Sequence, residues 1–123
     1  MHGIRGVYEV AIRVRDLQRA EDFYMRTLGF APGQRDEQRR ICFLRIAGEA
    51  GMIVLREDKG PWPTQHLAFT VTAADIEPAA APLRAAGVVV EGPVHHAWMP
   101  ATSLYFSDPD GHELELCAPG GPA

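Results

Sequence analysis

The chain has little cysteine and nothing that would tie it to a membrane or to nucleic acid. Two cysteines, Cys42 and Cys117, occur in 123 residues and form no CxxC pair. That is too few for a disulfide-stapled scaffold, and reduced thiols in a cytoplasmic protein are expected. No apolar run approaches the ~18 residues of a bilayer span, so no membrane partner is expected. The opening Met1-His2-Gly3-Ile4-Arg5-Gly6 lacks the apolar core of a secretory leader. Basic runs are missing as well. Arg35, Arg39 and Arg40 are interleaved with Asp36 and Glu37, which reads as a solvated turn, and a net charge of −4 argues against nucleic acid.

What is present fits one globular domain. At 123 residues, 46% of them hydrophobic, the chain can bury a core but has no room for a second domain. Its most informative feature is a pair of matching segments. Glu9-Val10-Ala11-Ile12-Arg13-Val14 and His66-Leu67-Ala68-Phe69-Thr70-Val71 are each followed by a helical pattern, ending at Leu28-Gly29 and Ala86-Gly87. Glu9 and His66 are 57 residues apart and the two glycines 58, so the register hardly drifts. A fixed offset of this kind marks an internal repeat. A pseudo-twofold would give Glu9 and His66 equivalent places, and both are metal-ligand types.

Alternation predicts a strand over 7–14, with Glu9, Ala11 and Arg13 on one face and Val10, Ile12 and Val14 on the other. Asp16 is a good N-cap for a helix carrying Leu17, Ala20, Phe23, Tyr24 and Leu28. Strands are expected over 30–35, 41–47 and 52–57, the last two joined by the turn Gly48-Glu49-Ala50-Gly51. Asp58 to Thr64, with Pro61 and Pro63, reads as a linker. A second set follows: a strand over 65–71, a helix capped by Asp75, and strands over 88–94, 102–107 and 113–117. Pro78 and Pro82 predict a kinked or late-starting helix. Asp108-Pro109-Asp110-Gly111 is a hairpin-turn signal, with His112 expected as a turn residue. The loop His95-His96-Ala97-Trp98-Met99-Pro100 is expected to pack Trp98 over the core, or to place it as a stacking surface beside a general base.

These segments resemble the vicinal oxygen chelate superfamily, which includes glyoxalase I, fosfomycin resistance enzymes, bleomycin-binding proteins and extradiol dioxygenases. The matching residues are Ala11 to Leu17, Phe23-Tyr24, Leu28-Gly29-Phe30, His66 to Phe69, and Tyr105 to His112 leading to Glu115. The resemblance implies an α+β fold of two βαβββ modules, about 7–57 and 65–117 of one 1–123 domain, with curled mixed sheets around a cleft. It implies ligand positions at Glu9, Val54, His66 and Glu115. Valine cannot ligate, so Glu9, His66 and Glu115 remain as an open set for one divalent ion (Mn, Fe, Zn, Ni or Mg) that would act as a Lewis acid. Glu9 and Glu115 are the candidate catalytic carboxylates.

Arg13, matching an arginine that glyoxalase I uses on a carboxylate, and Arg56 are candidate anion binders. Ser103 and Tyr105 resemble residues that contact the phosphonate in fosfomycin enzymes, and Trp98 is a candidate substrate contact. The expected activity is metal-dependent, glyoxalase-like lyase or isomerase chemistry on a small oxygenated anion in a homodimer. The alternative is non-catalytic binding of a small molecule or antibiotic, as in bleomycin resistance. Fosfomycin-type transfer is disfavoured by Ala11 and by the Cys117-Ala118-Pro119 ending. Extradiol ring opening is disfavoured by Glu9 in place of histidine.

Overall fold

A computed structural model describes residues 1–48 and 50–120. The expected turn 48–51 is therefore seen without Glu49. The chain divides into two compact units, Met1–Trp62 and Pro63–Ala123, and the division falls inside the proline-bearing stretch 58–64.

In the first unit the elements are β1 (Glu9–Val14), α1 (Leu17–Asp22), β2 (Ala31–Asp36), β3 (Ile41–Arg45) and β4 (Met52–Glu57). In the second they are β5 (His66–Thr70), α2 (Ala73–Ala85), β6 (Glu91–His96), β7 (Ala101–Ser107) and β8 (Glu113–Pro119). Each unit is a βαβββ module with a mixed four-stranded sheet, in the orders β1-β4-β3-β2 and β5-β8-β7-β6. The opening strand runs parallel to the last, and the other pairs are antiparallel. The fold is α+β, as the sequence pattern predicts.

In the first unit Ile12 and Val14 point to the buried face of β1, and Leu17, Ala20 and Tyr24 are fully buried as well. Each such side chain, taken fully out of water, contributes roughly 1.5–3 kcal/mol. Asp16 caps α1 as expected, its carboxylate accepting from the Arg19 N–H at 3.0 Å. The helix does not continue as one α-helix. A π-helical turn, Phe23–Thr27, follows, with the Leu28 N–H reaching the Phe23 carbonyl. The widened turn leaves Tyr24 fully buried and stacked on Phe30 at 5.7 Å.

In the second unit α2 is continuous through Pro78 and Pro82. Both prolines lie on its exposed side, so water can serve the carbonyls they leave without an N–H partner. The opposite side buries Ile76, Ala80 and Leu83, and Ile76 and Ala80 share a core cluster with Leu104 and Ala118. Thr72, not Asp75, is the N-cap residue. Asp75 reaches back to accept from the Thr72 N–H and hydroxyl, which lowers its own pKa. The chain then spends residues 87–90 leaving the helix, with the Val88 N–H on the Leu83 carbonyl. Strand β6 therefore starts three residues later than expected and takes in His95 and His96.

Both modules carry a register shift on the strand after the helix, at Pro32/Arg35 and at Glu91/Val94. The shift lets a glycine sit against the neighbouring strand. A Cβ at Gly33 would lie 2.7 Å from the Phe43 carbonyl oxygen, and one at Gly92 2.7 Å from that of Ser103. Only glycine fits there.

His112 is not an exposed turn residue but fully buried. Its Nδ1 accepts from the Gln65 N–H at 2.9 Å, tying the start of β5 to that of β8. Asp108 Oδ1 accepts from the N–H groups of Asp110 and His112, closing the hairpin. No helix among the described residues is long and apolar enough to cross a membrane.

Candidate functional site

Strand register alone places a set of polar side chains on one face of the second sheet. His66 pairs with Glu113 and Ala68 with Glu115 across the parallel β5–β8 ladder. Tyr105 pairs with Glu115, and Ser103 with Cys117, across β7–β8. His96 pairs with Ala101 across β6–β7. Directly paired residues share a face and alternate residues repeat it. His66, His96, Ser103, Tyr105, Glu113 and Glu115 therefore lie together, while Leu104 and Leu114 turn to the core.

These groups form a continuous hydrogen-bonded chain. Glu113 Oε1 lies 2.8 Å from His66 Nδ1, and His66 Nε2 lies 3.1 Å from Glu115 Oε1. The Ser103 hydroxyl donates to Glu115 Oε2 at 2.5 Å. His96 Nε2 lies 3.3 Å from Ser103 Oγ and 2.9 Å from Tyr105 Oη. Glu115 is only 7% exposed, so its charge needs these partners. Burial, with the charge of Glu115 adding to it, holds the Tyr105 phenol above its ordinary pKa. His96 has one nitrogen facing two hydroxyls. Protonated there, it donates to one of them; deprotonated, it accepts from Tyr105.

The corresponding face of the first unit is built on the same register but filled differently. Glu9 pairs with Met52, Ala11 with Val54 and Arg13 with Arg56, and Phe43 stands opposite Val54. Val54 is buried and apolar. Arg13 and Arg56 are both exposed cross-strand neighbours, and Arg13 Nε pairs with Asp58 Oδ2 at 3.3 Å. Two like charges side by side repel, and the Asp58 carboxylate offsets this at Arg13.

Of the expected ligands, His66 and Glu115 come together in the second unit, and Glu9 stands on β1 of the first. Among the described residues no group of three or more His, Cys, Asp or Glu is arranged to hold a metal ion. The two that meet are an imidazole and a carboxylate, both metal-ligand types, and they are hydrogen-bonded to each other at 3.1 Å. Glu113 stands on the far nitrogen of the His66 imidazole and fixes the ring's orientation.

Sequence reasoning missed Glu113 and misplaced His96. Strand parity with Glu115 marks Glu113. For His96, a strand two residues longer would have given the face. Trp98 is 81% exposed in the turn after β6, with its ring edge toward His96 at 6.1 Å, and does not pack over the core.

The model of one family matches residues 6–116. The chain belongs to the Glyoxalase/Bleomycin resistance protein/Dioxygenase superfamily. The chain is 48% identical to an integron cassette protein from the mobile metagenome of the Halifax Harbour sewage outfall, with a TM-score of 0.90 over 94% of this chain and 99% of that one. It is 27% identical to an antibiotic binding protein from Streptomyces sp. CB03234, with a TM-score of 0.82 over 98% and 100% of the two chains. It shares its fold with a lactoylglutathione lyase from Agrobacterium tumefaciens, 20% identical, with a TM-score of 0.82 over 95% and 96%. No curated protein matches the chain.

Proposed function

We propose that the chain is a metal-dependent, glyoxalase-like lyase or isomerase acting on a small oxygenated anion. One observation carries this reading: the buried Glu115 carboxylate, held by Ser103, faces His66 at 3.1 Å while Glu113 holds the other imidazole nitrogen. A structural pair on a sheet face would not need the third carboxylate. His66 and Glu115 would hold the ion with Glu9 as third ligand, leaving Val54 as the position that cannot bind. When bound, the ion would supply a Lewis acid for substrate oxygens.

The chain's own groups supply the rest. Ser103 fixes Glu115 Oε2, so Oε1 is the oxygen left to ligate. Glu9 or Glu115 takes up the substrate proton, and the Ser103–His96–Tyr105 chain exchanges protons with the same face. Arg13 and Arg56 attract the anion, and Trp98 offers a stacking surface. Two copies of the chain are proposed to assemble, with Glu9 of one subunit completing the site of the other.

The test is the metal content of the purified protein. About one divalent ion per chain is expected, with most of it lost in His66→Ala and Glu115→Ala variants that keep a native circular dichroism spectrum. Full uptake in both variants overturns the proposal. The second reading, ligand trapping without chemistry, is favoured by the exposed Trp98 and by the antibiotic binding relative. It predicts tight small-molecule binding that chelators leave unchanged.

A further inference from the structure

The first unit contains a hollow of about 560 Å³ that none of the proposed metal ligands lines. Its walls are the incoming segment Arg5 to Tyr8 and the β3–β4 hairpin residues Arg45, Gly48, Gly51 and Met52. Backbone bonds hold these walls together. The Met52 N–H donates to the Tyr8 carbonyl at 3.0 Å, and the Ile46 N–H to the Gly51 carbonyl at 3.0 Å. Gly51 also passes close under the segment, since a Cβ there would lie 3.5 Å from the Val7 carbonyl oxygen. The volume falls in the ~300–1,000 Å³ range of small-molecule pockets.

The described lining is amphiphilic. Arg5 and Arg45 are both guanidinium groups, and among the described residues no Asp or Glu lines the hollow. Elsewhere in the same unit Arg35, Arg39 and Arg40 are each bound to carboxylates. Arg5 and Arg45 have no such partner among the described residues. Beside them Val7 and Tyr8 are 71% and 75% exposed, which is unusual for large apolar groups flanking a concavity. Met52 adds a flexible apolar wall, and the glycines leave backbone open to contact. A planar guanidinium pair binds carboxylate, sulfonate or phosphate oxygens in bidentate fashion, and the aromatic and aliphatic wall takes an apolar body.

We infer that this hollow is a second binding site, for a small organic anion with an aromatic or branched apolar body. It is built from residues separate from those of the proposed reaction and stands whether or not that reading holds. Anilinonaphthalene sulfonate is a suitable probe, with neutral anilinonaphthalene as its partner.

Titration of the full chain, followed by fluorescence, should show saturable binding of the sulfonate. Arg5→Ala/Arg45→Ala should weaken it by roughly tenfold or more and leave the neutral compound nearly unchanged. Tyr8→Ala should weaken both, and a chelator should change neither. Amide shifts on binding should map to residues 5–8 and 45–52. Equal loss of both compounds in the double arginine variant, shifts that map to β5 and β8 instead, or a sedimenting dimer that dissociates in Val7→Asp and alone excludes the probe, would each overturn the inference. The last result would make the hollow a contact between two copies.

Discussion

Val54 and Glu115 hold the same place in two sheets of the same topology. Each sits opposite an alanine of the opening strand, Ala11 for Val54 and Ala68 for Glu115. Both side chains are buried, at 3% and 7% exposure. One position is an apolar plug and the other a carboxylate hydrogen-bonded to a serine and a histidine. The repeat supplies the frame, and a single difference of residue type decides which copy presents a buried carboxylate.

Glu113 is expected to tune any metal bound by its neighbour. Glu113→Gln removes the charge at His66 Nδ1 without emptying the ligand set. Divalent-ion affinity, measured by calorimetry with Mn²⁺ or Zn²⁺, should fall by about 10–100-fold with the fold intact. An unchanged affinity would mean that His66 is not a ligand.

Gly92→Ala should damage both fold and site. The new Cβ would meet the Ser103 carbonyl oxygen at 2.7 Å, at a residue whose φ is +115°. Strain of this kind costs roughly 2–4 kcal/mol. Urea denaturation should read the loss, and Gly29→Ala, where nothing lies within 4 Å of the added carbon, should cost less.

His112→Ala is expected to be among the more costly substitutions. It opens a cavity at a fully buried position and leaves the Gln65 N–H without its acceptor. A loss of roughly 2–4 kcal/mol is expected. His112→Asn, which keeps an acceptor, should recover part of it.

The two thiols should behave differently. Burial, aided by the Glu21 carboxylate 2.8 Å away, pushes the Cys42 thiol up to about 12. At pH 8 a disulfide reagent should label the half-buried Cys117 first and Cys42 only on unfolding. The raised pKa means that the folded chain keeps a proton the unfolded chain has lost. Its contribution to stability is therefore complete below pH ~9 and is lost as pH rises toward about 12. Cys42→Ala should flatten that limb, and equal slopes in both proteins would refute the linkage.

Acid should act through Glu57, whose pKa is lowered by Arg40 and by the Leu17 N–H at the start of α1. Its contribution is present above the ordinary carboxylate value and disappears as pH falls through the lowered one. Glu57→Gln should reduce the pH dependence of stability below about 4.5.

The repeat, the strand faces and the helix start at Asp16 were legible in the sequence, because each depends on local spacing and side-chain chemistry. Alternation along one strand was enough to place Ser103 and Tyr105 on one face, or Arg13 on the face of Glu9. What only the tertiary structure decided depends on registers between strands and on packing. The β6 bulge carries His96 into the strand, and the β5–β8 ladder puts Glu113 behind His66. Packing of α2 on the sheet and solvent on its outer side tolerate two prolines that local propensity would reject. Burial of His112 turns an apparent turn residue into a tie between two strands. A linear pattern states which face a residue shares, but the neighbour it meets there is set by how distant segments are hydrogen-bonded and packed.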